Sequence, residues 1–415
     1  GRRNDRGEVI DQVIKDLKDA VGGLPETSSE AGRLNKYIAY AMLSRVALYE
    51  GTWQKFRENE ARAKELLGIA ANAAENVING GAFSLFQPEK LGIYAYKYLF
   101  ILENDKSNPE SITKSGNTEY IFSRRYDEIL NPIGFNISEG FLNKAVFMTR
   151  KMANMYLTAE GLPIDPTNAA MYATMTSEYE NRDNRMQNIM MIAGRPYWGN
   201  SKGRVSWKDD AEDLALALYQ SFDPKSRSGY FFRKWATERK VASTKEGYDF
   251  PIIRYAEVLL NYAEALFELN ADIGGNITGD EKKIANGLAK LNLVRKRVNP
   301  EMSDLTIEFA RQKGLNLRTE IRRERTIELF HEGFRMDDLK RWNTAVNEMN
   351  QNMLGVKWKG TEFEKVWIDK TIITDAEGCI IMENGRQWAN RNYLYPLPTD
   401  QLKLNTNLKQ NPGWE

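Results

Sequence analysis

The sequence has a single cysteine and a single histidine. The lone Cys379 excludes an internal disulfide and any metal site built from several thiolates. The lone His331 excludes histidine-rich metal sites and most catalytic sets that need several imidazoles. His331-Glu332 opens what would be a zinc-protease signature, but Arg335 stands where the second histidine is required. No Walker loop, dinucleotide fingerprint or nucleophile elbow is present, and Gly22-Gly23, Gly80-Gly81 and Gly274-Gly275 stand alone as turns, so no cofactor is expected. Charge of one sign is also lacking. Fifty-eight basic against 57 acidic residues leave a net +1, which draws in neither nucleic acid nor an anionic membrane. No apolar run is long enough to cross a bilayer, and GRRNDRGEVIDQVIKDL carries no signal-peptide core, so the chain as given reads as soluble. An amphipathic helix (Glu8 to Val21) is already complete close to the start, so an upstream segment is expected to precede it.

What is present is helix. Glu8 to Val21, Asn35 to Glu50 and Glu58 to Asn79 read as helices joined by short loops, with Tyr37 to Tyr49 apolar nearly all round and Gly51 expected as the turn between partners. Helix pairs of this length with Ala and aromatic contacts suggest tetratricopeptide-like repeats. The same theme returns at Ile253 to Leu269, Glu281 to Val298, Leu315 to Glu332 and Asp337 to Met349. Between them the pattern dissolves into Gly, Pro, Asn and Ser, with strand candidates at EYIFS (Glu119 to Ser123) and GYFFRKW (Gly229 to Trp235). The expected fold is mainly α: a helical-repeat scaffold (1–80 and 251–350), a long loop-rich insert containing short strands (81–250), and an irregular C-terminal region (351–415). After Gly355 come the strand-like TIIT and GCIIM. In the closing LYPLPTDQLKLNTNLKQNPGWE, Pro396, Pro398 and Pro412 predict an extended strap whose leucines and aromatic residues lie against the body of the protein.

Glu320, Glu324, Glu328 and Glu332 share one helix face with Arg318, Arg322, Arg323 and Arg325 interleaved. A catalytic carboxylate pair is conceivable there, but an ion network tying helices together through planar guanidinium forks is the stronger reading. The insert, as a long irregular region, is the expected seat of function. Its RPYWGNSKGRVSWKDD sets Tyr197, Trp198 and Trp207 among Gly, Asn, Lys and Asp, a composition suited to stacking on sugar faces with hydrogen bonds at the rim; burial beneath the loops is the alternative. Trp198 is the first choice because the Gly and Pro around it place it on a turn. Tyr230 and Trp235, in an apolar run, are assigned to structure.

Several segments together resemble the SusD/RagB family of outer-membrane nutrient-binding lipoproteins. They are DLKDAVGGLP with GRLNKYIAYAMLSRVALYEGTW, the EYIF strand, NRDNRM, DFPIIRYAEVLLNYAEA, LNLVRKR, RRERTIELFHEGFRMDDLKRW and YPLPTDQL…NTNLKQNPGW, in that order along nearly the whole chain. The resemblance implies a tetratricopeptide scaffold closed by the tail, no catalysis, and capture of oligosaccharide at the cell surface for a TonB-dependent outer-membrane transporter. Oligopeptide as the ligand, or a helical-repeat adaptor whose ligand is another protein, are the alternatives. It also implies outer-membrane localisation through a lipid anchor on an N-terminal cysteine. That cysteine, a signal peptide, the first helices and some ligand-contacting loops of such proteins are not present in this chain, and Cys379 lies too far along to be the anchor.

Overall fold

The structure, a computed structural model, describes residues 1–28, 30, 32–135, 137–142, 146–197, 215–216, 228–242, 244–366 and 371–415. Helices dominate, and their ends follow from capping. The Arg6–Gly23 helix starts where the Asp5 carboxylate accepts from Gly7 N, and it stops at Leu24, which Pro25 holds extended. In Lys36–Lys55 the Asn35 side chain accepts from Ile38 N, and Thr306, Asn316 and Asp280 cap later helices in the same way.

Lys36–Lys55 lies between Arg6–Gly23 and Glu60–Asn79. The latter packs in turn on Tyr255–Leu269, which carries Glu281–Lys296 and Leu317–Glu328 on its other sides. Gly51 does not make the expected turn. It is buried within its helix, where an added Cβ would stand 2.9 Å from Leu67 Cγ, so the missing side chain permits a close helix crossing. The run Asp337 to Met349 is likewise not one helix: Arg335–Arg341 and Ala345–Met349 are separated at Asn343, whose φ is +57°.

Tyr255–Leu269 is buried almost throughout, including Glu257, Glu264 and Glu268, which helical spacing alone reads as a polar stripe. Each is paired: Glu257 with Arg45, Glu264 with Arg341 and the indole N–H of Trp342, Glu268 with Arg318 and Lys55. Leu317–Glu328 supplies the rest of the network, but its glutamates seek partners mainly on other elements. Glu324 and Glu328 hold Arg185 at 2.5 and 3.0 Å, and Glu328 also holds Arg254 at 2.6 Å and Arg297.

Arg254 ends a strand, Phe250–Arg254, paired antiparallel with Tyr120–Arg124, so the network joins the helices to the irregular region. That region has its own core, built from Phe86 to Phe100, Tyr156, Met186 to Met190 and Tyr230 to Trp235. GYFFRKW forms no continuous strand; Tyr230 and Phe232 make isolated bridges to Met148 and Met190, and the run is buried because it crosses this core. GCIIM contributes Cys379–Glu383, which pairs with Met353–Lys357, whereas Thr374 of TIIT makes only a bridge to Ile380.

The tail is less extended and less buried than expected. Thr399–Leu404 is a short helix, and Tyr395 and Leu404 are exposed. Polar ties hold it instead. Asn411 donates to Tyr395 O and accepts from Arg3, Asn405 donates to Gly1 O, and the Trp414 indole N–H donates to Arg391 O and Leu394 O. Among the described residues no helix is long and apolar enough to cross a membrane.

Candidate functional site

Where the helical layer meets the irregular region, the chain leaves a cleft of about 910 Å³. One wall is the reversal after Leu317–Glu328. His331 at φ +59° and Gly333 at φ +91° turn the backbone, and the cleft is lined along it by Leu329, Phe330, Phe334 and Met336. Tyr126, Ile133, Phe147, Met152 and Met155 line it from the irregular region, and the buried Trp235 and Tyr248 form its floor with Phe250.

The floor is rigid. Trp235 meets Phe100 and Phe250 at centroid distances of 5.1 and 4.8 Å, and Phe232 meets Phe330 and His331 at 4.9 Å each. The Trp235 indole N–H donates to His331 Nδ1 at 3.0 Å, which places the proton of the neutral imidazole on Nε2. Burial, with the Lys234 ammonium nearby, pushes that imidazole down to about 4, so it is neutral at pH 7. Phe250 is 41 % exposed and offers a ring to the cleft beside the buried Trp235.

The charged groups at the cleft are engaged. Arg254 and Lys234 hold Glu332 below the usual carboxylate range although burial opposes them, with contacts of 2.7 Å. Asp338 accepts from Arg325 and Arg341, and Glu348 pairs with Lys151 at 2.5 Å and Arg335 at 3.4 Å. Burial pushes the Glu246 carboxyl up to about 7; it accepts from Ser138 N and the Tyr248 hydroxyl behind the floor. Chemically the arrangement suits a ligand with apolar faces: rings and thioethers on the walls, fixed polar groups at the rim.

Of the residues singled out from sequence, Tyr197 contributes backbone to a two-residue strand, Pro196–Tyr197, paired with Ala215–Leu216. Trp198 and Trp207 lie outside the described residues. Tyr230 is fully buried, as assigned, with its hydroxyl on Glu178. Trp235 is buried too, yet its ring is part of the cleft floor, a role that sequence reasoning missed. Phe250 was also missed; the available signal was DFPII, where Phe250 and Ile252 fall on the opposite face from the buried Pro251 and Ile253.

The model of the SusD family matches residues 97–414. Among solved structures, the chain is similar to a SusD-like carbohydrate-binding protein from Bacteroides fragilis, at 21% identity and TM-score 0.68, covering 98% of this chain and 72% of that one. A second SusD-like protein from the same species matches at 22% identity and TM-score 0.67, covering 99% and 72%. A structure containing xylogluco-oligosaccharide matches at 16% identity and TM-score 0.57, covering 98% and 72%. No curated protein sequence matches.

Proposed function

The chain belongs to the SusD family, and from that premise we propose that it is a non-catalytic binding protein that captures oligosaccharide at the cell surface and passes it to a TonB-dependent outer-membrane transporter. The observation that carries this reading is the cleft itself: rigid aromatic rings beside an ionic rim whose carboxylates are each held by a cation, an arrangement for holding rather than cleaving. The tetratricopeptide-like helices would face the transporter, and attachment to the outer membrane would come through a lipid anchor. Tyr197, Trp198 and Trp207 are proposed as a second set of stacking rings. Their test is Trp198→Ala, expected to weaken sugar binding by about 1–3 kcal/mol with little change in thermal stability. Unchanged affinity would remove Trp198 from the site.

Oligopeptide remains the second reading, because Met152, Met155, Met336, Met349 and Met353 give the cleft adaptable apolar surface of the kind that accepts varied side chains. Calorimetry of the purified chain against oligosaccharides and mixed oligopeptides separates the two. Saturable heat with oligosaccharide alone supports the proposal, and heat with peptides alone replaces it.

A further inference from the structure

The cleft continues into a smaller pocket of about 330 Å³, and Lys151, Met155, Thr326, Arg335, Leu339 and Glu348 line both. The two are chemically unlike. The small pocket is lined by four cations, Lys151, Arg322, Arg323 and Arg335, and among its described residues Glu348 is the one carboxylate. Part of this charge is compensated: Arg323 pairs with Glu320 at 3.0 Å, and Lys151 and Arg335 share Glu348.

Arg322 is compensated only at a distance. Its nearest carboxylate, Glu268, lies 4.0 Å from Nη2 and is already taken by Arg318 and Lys55 at 2.7 Å each. Nε and Nη2 of Arg322 are buried without a hydrogen-bond partner, and burial pushes the guanidinium down to about 10. Phe56 and Trp342 hold its Cζ at 4.7 and 4.6 Å from their ring centroids, so the fork is fixed in place. A desolvated cation held between rings, whose carboxylate is 4.0 Å away and shared with two closer cations, is costly to maintain in a structural role. It is well suited to receiving a planar or tetrahedral oxyanion.

We propose that this pocket receives an acidic group of the ligand, a carboxylate or a sulfate ester, with Arg322 as its principal contact and Lys151 and Arg335 at its mouth. The ligand of the cleft is then an acidic oligosaccharide, its sugar faces on the rings and its anion in the pocket. The inference rests on the oligosaccharide reading for the ligand, but not for the anion.

The experiment therefore has two arms, run on the full chain, Arg322→Gln and Arg322→Lys. Arg322→Gln is expected to fold, since the lost Nε and Nη2 groups make no hydrogen bond. In the first arm, melting temperature is followed against sodium sulfate and against sodium chloride at equal ionic strength. Sulfate, excluded from protein surfaces, stabilises any fold, so its excess over chloride should be larger in the wild type and in Arg322→Lys than in Arg322→Gln. Equal responses in wild type and Arg322→Gln, or no sulfate effect, overturn the pocket. In the second arm, calorimetry compares oligogalacturonate, a sulfated glycosaminoglycan oligosaccharide and a neutral glucan oligosaccharide; which acidic ligand binds tells carboxylate from sulfate ester. Acidic ligands should bind at least tenfold more tightly than neutral ones and lose about ten- to a hundredfold in Arg322→Gln. Neutral glucan bound as well as the acidic ligands, with Arg322→Gln unaffected, overturns the acidic specificity while the oligosaccharide reading stands. Sulfate protection that Arg322→Gln reduces, without binding of any oligosaccharide, upholds the anion pocket and removes the oligosaccharide reading.

Discussion

Replacing Glu328 by Gln perturbs the junction on which the cleft wall is built. The carboxylate is fully buried, ends the Leu317–Glu328 helix and immediately precedes the reversal that carries Phe330 and His331. It accepts from Arg185, Arg254 and Arg297, which hold it far below the ordinary carboxylate range in spite of burial. These cations keep other partners: Arg185 has Asp183 and Glu324, Arg254 has Glu119 and Glu332, Arg297 has Glu119. The substitution therefore leaves one uncompensated positive charge in a dry site and points an amide N–H₂ at guanidiniums. Breaking a buried pair in this way costs about 3–5 kcal/mol. An unfolding entropy of about 2.1 cal/mol/K per residue over 415 residues converts that to a fall in melting temperature of about 3–6 °C. Calorimetric melting at pH 7 is the assay, with Glu308→Gln as control, because the Glu308 pair with Arg311 is exposed and worth below about 0.5 kcal/mol. A loss under about 1 kcal/mol in Glu328→Gln, or one no larger than the control, would refute the view that this network joins scaffold and insert.

Phe250→Ala removes an exposed ring that a ligand in the cleft would cover; with 41 % of a side chain of about 200 Å² still to bury, oligosaccharide affinity should fall by about 1–2 kcal/mol in calorimetry, and an unchanged affinity puts the ligand elsewhere. Glu246, pushed up to about 7 from 4.5, stabilises the fold as the neutral acid, fully below pH 4.5 and progressively less as pH rises through 7. His331 acts in the opposite sense, its contribution being complete above pH 6.5 and lost as pH falls toward 4. Melting temperature should therefore decline from pH 6.5 to pH 8, and Glu246→Gln should flatten that decline; an unaltered slope assigns it to another group. Gly51→Ala drives a methyl to within 2.9 Å of Leu67 Cγ and 3.1 Å of its backbone nitrogen and should cost about 1–3 kcal/mol in urea unfolding, whereas a stabilised variant would show that Gly51 does not set the crossing.

Much of the scaffold was legible because its helices carry a 3.6-residue apolar period and recognisable caps, as at Asn35 and Asp280. The glutamates of Tyr255–Leu269 misled because spacing alone cannot show that Arg45, Arg318, Arg341 and Lys55 arrive from elsewhere to pair with them. Gly51 misled for a related reason: a glycine at a turn and a glycine under a crossing helix look the same in one dimension. The tail's prolines limit backbone shape, but its attachment depends on amides meeting the opposite chain end, as Asn411 meets Arg3. At the cleft, Trp235 was read as core because its neighbours are apolar; that its ring also forms a floor depends on Phe250 and His331, which join it only in three dimensions.

The most direct measurement is calorimetry of the full chain with oligosaccharides of known composition, repeated with Phe250→Ala, with the sugar recovered afterwards and its length determined. Saturable binding that Phe250→Ala weakens, with the oligosaccharide recovered intact, is the expected result. Oligosaccharide recovered shortened, or binding to oligopeptides with none to any sugar, would contradict a cleft that captures oligosaccharide without cleaving it.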